Sequence, residues 1–199
     1  LKHPYRRPIA GYLAEIERIE PKDILEFVKK YYKFSNIIFV IVGDVESRKT
    51  INLIDKYFKP LCSPDSCDKE VIESEPFQVG EKRIEVEDYP YPLLLIGYNR
   101  PGTTCQDDLV FDVLASLLGG YKSSPIYKSI ITEKKLTTFI NNYPKFYGAK
   151  EQTLFLISTS PFSNNYREEI ESIIYKYLEE FKNSIIAENE LNKAKKHAI

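Results

Sequence analysis

Metal-binding residue types are scarce in this sequence of 199 residues, which contains two histidines and three cysteines. A zinc centre needs several such ligands at short, characteristic spacings. His3 has no second histidine or carboxylate at ligand spacing beside it, so a loop histidine bonded to backbone is favoured over a metal ligand. His197 is the other histidine, and the sequence contains no H-x-x-E-H motif. The sequence therefore predicts no metal ligands of its own.

The cysteines are best interpreted as unremarkable thiols. Cys62 and Cys67 flank the run Ser-Pro-Asp-Ser, and a disulfide between them is sterically conceivable. Two cysteines do not make a disulfide framework, so whether they pair stays open. Cys105 stands apart from both, and zinc binding by three scattered cysteines is less favoured still.

The run GGYKSS, from Gly119 to Ser124, has residue types found in phosphate-binding loops. It follows no predicted strand and lacks the G-x-x-x-x-G-K-[ST] spacing, so a turn between two helices is the better interpretation. The 15 tyrosines and 11 phenylalanines lie at core periodicities, which does not favour stacking on RNA. A net charge of −1 favours neither nucleic acid nor an anionic membrane as a partner. No apolar run approaches the roughly 20 residues of a transmembrane helix.

The elements around this run are predicted to be two helices. Thr104 and Asp107 stand at capping-box spacing, which makes Thr104 a candidate N-cap for the first helix. Apolar residues then recur at helical spacing and predict one continuous buried stripe. The stripe consists of Leu109, Val110, Val113, Leu114, Leu117 and Leu118.

A glycine pair and a serine-proline pair separate the two helices. Gly119 and Gly120 are predicted to end the first helix, because glycine accepts the left-handed conformation of a helix exit. Ser124 before Pro125 predicts an N-cap and a proline in the first turn of the second helix. The second apolar face consists of Ile126, Tyr127, Ile130 and Ile131.

The sequence before residue 76 predicts a helix, a strand, a second helix and a linker. Helical periodicity covers Pro21–Tyr32 and the stretch from Ser47 through Phe58. The β-branched run Ile37–Val42 predicts a strand that is buried on both faces. Residues 59–76 are rich in proline, serine and aspartate, which is typical of a linker.

The sequence after the linker predicts the order β-β-α-α-β-β-α-α. Paired strands with helices segregated between them indicate an α+β fold, with a sheet covered mainly on one face. The strands are expected at Lys82–Glu87, Leu93–Tyr98, Leu136–Phe146 and Thr153–Ser160. The last two helices are expected at Tyr166–Lys182 and Ala187–Ile199.

Two segments resemble the M16 (insulinase/pitrilysin-type) zinc metallopeptidases. The first is HPYRRPIAG, which fits the family pattern HPY-x-RP-x-x-G and is followed by two helices, an asparagine and a strand closed by Gly-Asp. The second is LLGGYKSSPIYKSIITEKKL, which follows a strand ending in Arg100-Pro101-Gly102. The resemblance implies the M16 metallopeptidase-like (LuxS/MPP-like) fold, with layers of mixed, largely antiparallel sheet and helices packed on one face.

The resemblance spans nearly the whole chain and implies two domains. Residues 1–75 would be the C-terminal part of a first M16 domain plus a linker. Residues 76–199 would be a second, M16 C-terminal domain that is truncated in its last helix. Because the start LKHPYRRP lacks an apolar signal-peptide core and an initiator methionine, we expect a fragment of a longer protein.

The resemblance also implies where the chemistry lies. M16 peptidases hold zinc through an inverted H-x-x-E-H motif and a distant glutamate, which in the family lie upstream of the HPY segment. Zinc is therefore expected in the full-length parent, a zinc metalloendopeptidase, and the fragment alone is expected to be inactive. The fragment would contribute the wall of the peptide chamber and dimer contacts. An edge strand at Thr153–Ser160 could pair with an extended peptide substrate, although the sequence does not establish that it is an edge.

A second family element is missing at its expected positions. Many M16 C-terminal halves carry an arginine and a tyrosine in a segment resembling R-E-K-x-G-L-A-Y, and alignment places Thr132 and Thr138 at those two positions. In heteromeric bacterial pairs the zinc-carrying subunit lacks this Arg/Tyr pair, and the HPYRRPIAG and EKKLTTFI segments resemble that subunit more. The alternative is a non-catalytic M16-like scaffold or peptide-presenting subunit. A homo- or hetero-dimer with another M16 subunit and the bacterial periplasm or cell envelope are expected.

Overall fold

The computed structural model describes residues 3–61, 76, 78–87, 90–146 and 150–198. It divides into two compact units, Leu1–Pro76 and Phe77–Ile199, which are treated separately below. Most of the predicted linker, including Cys62 and Cys67, lies outside the described residues. Within those residues, no helix is both long enough and apolar enough to cross a membrane.

The first unit contains two amphipathic helices at the predicted places. Proline in the first turn of α2 fits a helix start, because that position needs no backbone N–H donor. The N-cap of α3 is Glu46. The helices are α1 Leu13–Ile16, α2 Pro21–Tyr31 and α3 Ser47–Phe58, with 3-10 turns at Pro4–Arg6, Phe34–Asn36 and Lys59–Leu61.

The prediction of a buried strand at Ile37–Val42 is wrong. This run forms no strand, and Ile38 and Val42 are 89% and 93% exposed. A strand exists only through hydrogen bonds to a neighbour, and the described part of this unit contains no second strand. The apolar pattern is therefore present without the partner that would bury it.

The second unit is built on a three-stranded antiparallel sheet in the order β1-β3-β2. The strands are β1 Leu94–Arg100, β2 Thr137–Phe146 and β3 Thr153–Pro161. Each lies where the sequence predicts it, within one or two residues. Because β3 pairs with both neighbours, it is the central strand. The suggestion that an extended peptide pairs with Thr153–Ser160 as an edge is therefore wrong.

The predicted strand at Lys82–Glu87 is also absent. Its charged side chains bind a helix instead: Arg83 Nη2 lies 2.5 Å from Glu171 Oε1, and Arg167 Nη1 lies 2.9 Å from Glu85 Oε1. Both partners lie on α6, Arg167–Asn183. The alternating pattern thus reflects ion pairing on the surface rather than a sheet ladder.

The helices of the second unit pack on one face of the sheet. α4 covers Asp108–Ala115 and continues as a π-helical segment over Ser116–Gly120. α5 covers Pro125–Tyr127 and continues as a second π-helical segment over Lys128–Glu133. A 3-10 turn at Asn164–Tyr166 precedes α6, and α7 covers Glu188–Ala198. Ser124 is the N-cap of α5 as predicted, although its side chain makes no capping hydrogen bond.

The predicted N-cap of the first helix, Thr104, is wrong by three residues. Thr104 lies in a turn, where Cys105 N–H donates to Gly102 O at 3.1 Å. The N-cap is Asp107, whose side chain makes no capping bond. Asp108 begins the helix because its carboxylate binds Arg100, at 2.6 Å. A contact from β1 therefore overrides the local capping-box pattern.

The core lies between the sheet and these helices. Leu117 and Leu118 are buried as predicted, whereas Leu109 and Val110 at the start of α4 are exposed, so the apolar stripe is buried only over its second half. The helical segment ends at Gly120 as predicted, but Gly119 and Gly120 have no positive φ; Gly119 instead provides space, because a Cβ there would lie 2.8 Å from Asn142 Nδ2. The core side chains include Ile96, Leu118, Ile126, Ile130, Leu136, Ile140, Phe155, Ile157, Ile170 and Ile174.

Candidate functional site

The two threonines singled out by the sequence lie on either side of the connection from α5 to β2. Thr132 belongs to the π-helical segment after α5, and Thr138 is the second residue of β2. Both side chains are exposed. Larger side chains at either position would therefore extend into solvent without displacing core residues.

The connection between them is short and tightly bonded. Lys134 N–H donates to Ser129 O at 3.1 Å, and Leu136 N–H donates to Ile130 O at 2.9 Å. Lys135 between them has a φ of 52°, in the left-handed region that favours glycine. These bonds fix where β2 begins relative to the preceding helical turn, and with it the separation of the two exposed threonines.

Thr137, not Thr138, is the threonine that holds the strand in place. Its hydroxyl donates to Ser160 O at 2.6 Å and accepts from Thr159 Oγ1 at 3.1 Å. Its side chain is buried, as is that of Thr159. Because successive side chains in a strand point to opposite faces, this anchoring turns Thr138 outward.

A buried arginine network, which sequence reasoning missed, joins β1, α4 and β2. The Arg100 side chain is fully buried, and its guanidinium donates to Asp108 Oδ1 at 2.6 Å, Pro144 O at 2.8 Å and Pro101 O at 2.9 Å. Its Cζ lies 4.3 Å from the centre of the Phe111 ring. These contacts compensate for the loss of hydration of the buried guanidinium, which would otherwise destabilise the fold.

A lysine extends the network to the surface. Lys145 Nζ lies 3.0 Å from Asp108 Oδ2 and 3.4 Å from Asp112 Oδ2. The hydrogen bond from Arg100, followed by that from Lys145, lowers the pKa of Asp108. In turn, the hydrogen bond to Asp108 raises the pKa of Lys145. One sequence signal pointed to this network: Arg100 lies shortly before an acidic helix start. Nothing in the sequence indicated that Pro144 and Lys145 of β2 would lie beside them.

The described residues suited to metal binding do not fit a zinc centre. His3 Nδ1 accepts from Tyr5 N–H at 3.2 Å, which confirms the interpretation of a backbone-bonded loop histidine. His197 Nδ1 lies 3.3 Å from Ser116 Oγ, and Cys105 Sγ accepts from Asp107 N–H at 3.4 Å. In the described ranges, no group of three or more His, Cys, Asp and Glu side chains is placed to hold a metal ion.

Comparison with protein families gives a match over most of the chain. A family model described as the peptidase M16 inactive domain matches residues 18–197. The chain is 30% identical over 201 aligned residues to a zinc protease, PqqE, of Helicobacter pylori, covering 97% of this chain and 44% of the relative. It is 24% identical to a probable inactive metalloprotease, YmfF, of Bacillus subtilis, covering 96% of this chain and 44% of the relative.

Two further comparisons agree with these. A probable mitochondrial-processing peptidase subunit beta of Arabidopsis thaliana is 22% identical, covering 61% of this chain and 23% of the relative. A crystal structure of a protease from Helicobacter pylori matches with a TM-score of 0.77 and 27% identity, covering 92% of this chain and 44% of that one. The chain thus spans less than half the length of the relatives it matches.

Proposed function

The chain belongs to the M16 peptidase family, and from this premise we propose that it forms part of a zinc-dependent endopeptidase, contributing the wall of the peptide chamber and dimer contacts but no zinc ligands. The observation that supports this most strongly is the 30% identity to a zinc protease over 97% of the chain. The antiparallel sheet with helices on one face agrees with the family fold.

Zinc in this proposal is held outside the stretch described above. The histidines and cysteine of the described residues do not converge on a centre, so no step of the reaction is assigned to them. The relatives are more than twice as long as this chain, which leaves room for the metal-binding half in the parent. When bound there, zinc would polarise the water that attacks the peptide bond.

We assign the chain to the zinc-carrying subunit rather than to its complement. Thr132 and Thr138 occupy the positions where the family's arginine and tyrosine would assist the developing oxyanion. Both are exposed, so their identity is not dictated by packing. In this proposal, a partner M16 subunit supplies the arginine and the tyrosine. The similarity to a peptidase subunit named beta supports a multi-subunit parent.

A non-catalytic scaffold or peptide-presenting subunit is the second candidate. It is favoured by the relative described as a probable inactive metalloprotease and by the description of the matching family model as an inactive domain. In that case Thr132 and Thr138 belong to a wider loss of catalytic residues. A location in the bacterial periplasm or cell envelope stays a prediction under either candidate.

The experiment that separates the candidates uses the full-length parent. We expect about one zinc per chain by elemental analysis, and cleavage of a fluorogenic peptide that a chelator abolishes and added zinc restores. Cleavage is expected to require the partner subunit. Absence of zinc, or stoichiometric zinc without cleavage when the partner is present, would favour the scaffold.

A paired substitution tests the division of labour between subunits. We expect Thr132→Arg with Thr138→Tyr in the full-length parent to give chelator-sensitive cleavage in the absence of the partner, because the added side chains restore the missing pair. The control is Thr132→Ala with Thr138→Ala, which changes the same exposed positions without supplying either group. Equal activity of the two double variants would contradict the assignment.

A further inference from the structure

A cleft of about 310 Å³ opens between four elements of the second unit. Its walls come from α4, the π-helical segment that follows it, β2 and α7. Polar side chains from all four converge on it, which is the arrangement of a small-ligand site. The lining includes Asp112, Ser116, Gly120, Asn142 and His197.

Asn142 presents a hydrogen-bond acceptor that nothing in the described residues satisfies. Its Nδ2 donates to Ala115 O at 3.1 Å, which fixes the orientation of the amide. Gly119 leaves room for that amide, since a Cβ would lie 2.8 Å from Nδ2. The Oδ1 atom is buried and has no hydrogen-bond partner among the residues described. A buried carbonyl of this kind is stabilised by any donor that reaches it.

Asp112 adds a negative charge whose pairing is incomplete. Its Oδ2 lies 3.4 Å from Lys145 Nζ, whereas Asp108 holds the same ammonium at 3.0 Å. A carboxylate offers about four acceptor sites, so one long contact leaves most of its capacity available. Asp108 and Asp112 face the two cations Arg100 and Lys145, and Asp112 makes the longest of these contacts, so it is the carboxylate best able to accept a further N–H donor.

Ser116 and His197 complete the lining of the cleft. Ser116 is buried in the π-helical segment, and its Oγ lies 3.3 Å from His197 Nδ1. The centre of the Tyr121 ring lies 5.9 Å from that of His197. π-helical turns are rare and occur often at functional sites, because they re-aim side chains that an α-helix would direct elsewhere.

We propose that this cleft binds an organic cation with several N–H donors, that is, the guanidinium or ammonium group of an arginine- or lysine-type ligand. The Asp112 carboxylate accepts a charge-assisted N–H bond with its remaining capacity, and Asn142 Oδ1 and Ser116 Oγ accept further N–H bonds. This goes beyond the proposed function, since it requires neither zinc nor peptide cleavage.

The test is a titration of the isotope-labelled 199-residue chain, followed by nuclear magnetic resonance. The probes are N-acetyl-arginine amide and its neutral counterpart N-acetyl-citrulline amide, which has nearly the same shape. We expect saturable shifts of the Asn142 side-chain amide and the Gly120 backbone amide with the arginine probe, and at least tenfold weaker binding of the citrulline probe. Equal binding of both, or no shift at these signals, would overturn the proposal.

Matched variants test whether the carboxylate of Asp112 binds the cation. Asp112→Asn is expected to weaken the arginine probe at least tenfold, and it should fold because Lys145 keeps its contact with Asp108. Asp107→Asn makes the same charge change five residues earlier, outside the cleft, and should leave binding unchanged. Ser116→Ala is the second variant, expected to weaken binding severalfold. An unaltered affinity in Asp112→Asn, or equal losses in Asp112→Asn and Asp107→Asn, would refute the site.

A final comparison tests whether the cation belongs to a polypeptide side chain or to a free small molecule. An eight-residue peptide with one central arginine is compared with the capped single residue on the same chain. At least tenfold tighter binding of the peptide supports a polypeptide side chain as the natural occupant, and equal binding supports a free small molecule. Failure of every probe refutes the cleft while leaving the zinc-peptidase proposal intact, because that is tested by metal content and cleavage.

Discussion

Helix α3 in the first unit and helix α6 in the second are both amphipathic, yet their apolar side chains have different surroundings. Ile51 and Leu53 of α3 are more than half exposed, whereas Ile170 and Ile174 of α6 are completely buried. The same contrast holds for the apolar runs: Ile38 is exposed, and Ile157 in β3 is buried. The first unit has helices but no strand among its described residues, and the second has a sheet that covers the apolar faces of its helices.

This difference shows that an amphipathic pattern predicts which face of a helix or strand is apolar, but not which other element covers that face. Burial of an apolar side chain stabilises a fold only when another surface closes over it. In the second unit the sheet and helices supply that surface for each other. The described residues of the first unit supply little of it, so its elements contribute less to the free energy of unfolding.

Matched isoleucine truncations should show the largest effect. We expect Ile157→Ala to lower the free energy of unfolding by about 2–5 kcal/mol, because a completely buried side chain leaves a cavity in the central strand. Ile38→Ala should change it by less than about 0.5 kcal/mol, since this side chain is already in water. Denaturant midpoints by circular dichroism measure both. Equal effects would show that the two units bury their apolar runs alike.

Removing an arginine should repeat the contrast for charged groups. Arg100→Met is expected to cost about 2–4 kcal/mol, because it leaves the Asp108 carboxylate and the carbonyls of Pro101 and Pro144 without the guanidinium donor. Arg7→Met, which removes the exposed ion pair with Glu15, should leave the denaturant midpoint unchanged within error. A midpoint for Arg100→Met that matches the parent would mean that the network is not formed in solution.

The pH dependence of stability should separate the units in the same way. The pKa of Asp108 is lowered in the folded chain by Arg100 and then Lys145, so its contribution is present above the unfolded value of about 3.9 and is lost as pH falls below it. Asp108→Asn should therefore flatten the loss of stability below about pH 4. Urea unfolding at a series of acidic pH values measures this.

The control for that experiment is Glu15→Gln in the first unit. Arg7 also lowers the pKa of Glu15, mainly through a hydrogen bond, but both groups are exposed. Solvent screening should make the change in acid sensitivity smaller than for Asp108→Asn. A larger effect at Glu15 would reverse the comparison.

Backbone conformation should give the smallest effects, and similar ones in both units. Lys135 and Gly11 have positive φ angles of 52° and 78°. Lys135→Gly is expected to stabilise the chain by about 0.5 kcal/mol, and Gly11→Ala to destabilise it by about 1 kcal/mol. Thermal unfolding measures both shifts. Opposite signs would show that neighbouring contacts, rather than the φ angle, decide these positions.

Sequence patterns predicted elements well where local periodicity coincided with a tertiary partner. β1, β2 and β3 and helices α2, α3, α6 and α7 all lie within one or two residues of their predicted bounds. The misses at Ile37–Val42 and Lys82–Glu87 have one cause. A strand forms only when it can hydrogen-bond to a neighbouring strand, and the sequence of one segment does not show whether that neighbour is present.

The candidate sites were harder to predict because their contacts are long-range. Thr132 and Thr138 could be located only by resemblance to a family motif. The Arg100 network depends on Pro144, and the cleft depends on His197 meeting Ser116, pairs that are far apart in the sequence. The helix start at Asp108 shows the same effect, since a contact from another strand outweighed a local capping pattern.

The strand order β1-β3-β2 has a consequence for how the sheet assembles. Phe146 pairs with Leu154 across a short connection, whereas Arg100 pairs with Thr153 only after α4 and α5 have intervened. Closing the shorter loop costs less chain entropy, so the β2–β3 hairpin should form first and β1 should dock onto it. During synthesis, β1 would leave the ribosome well before its partner exists, and its Leu94 and Ile96 would have to avoid other chains until β3 emerges.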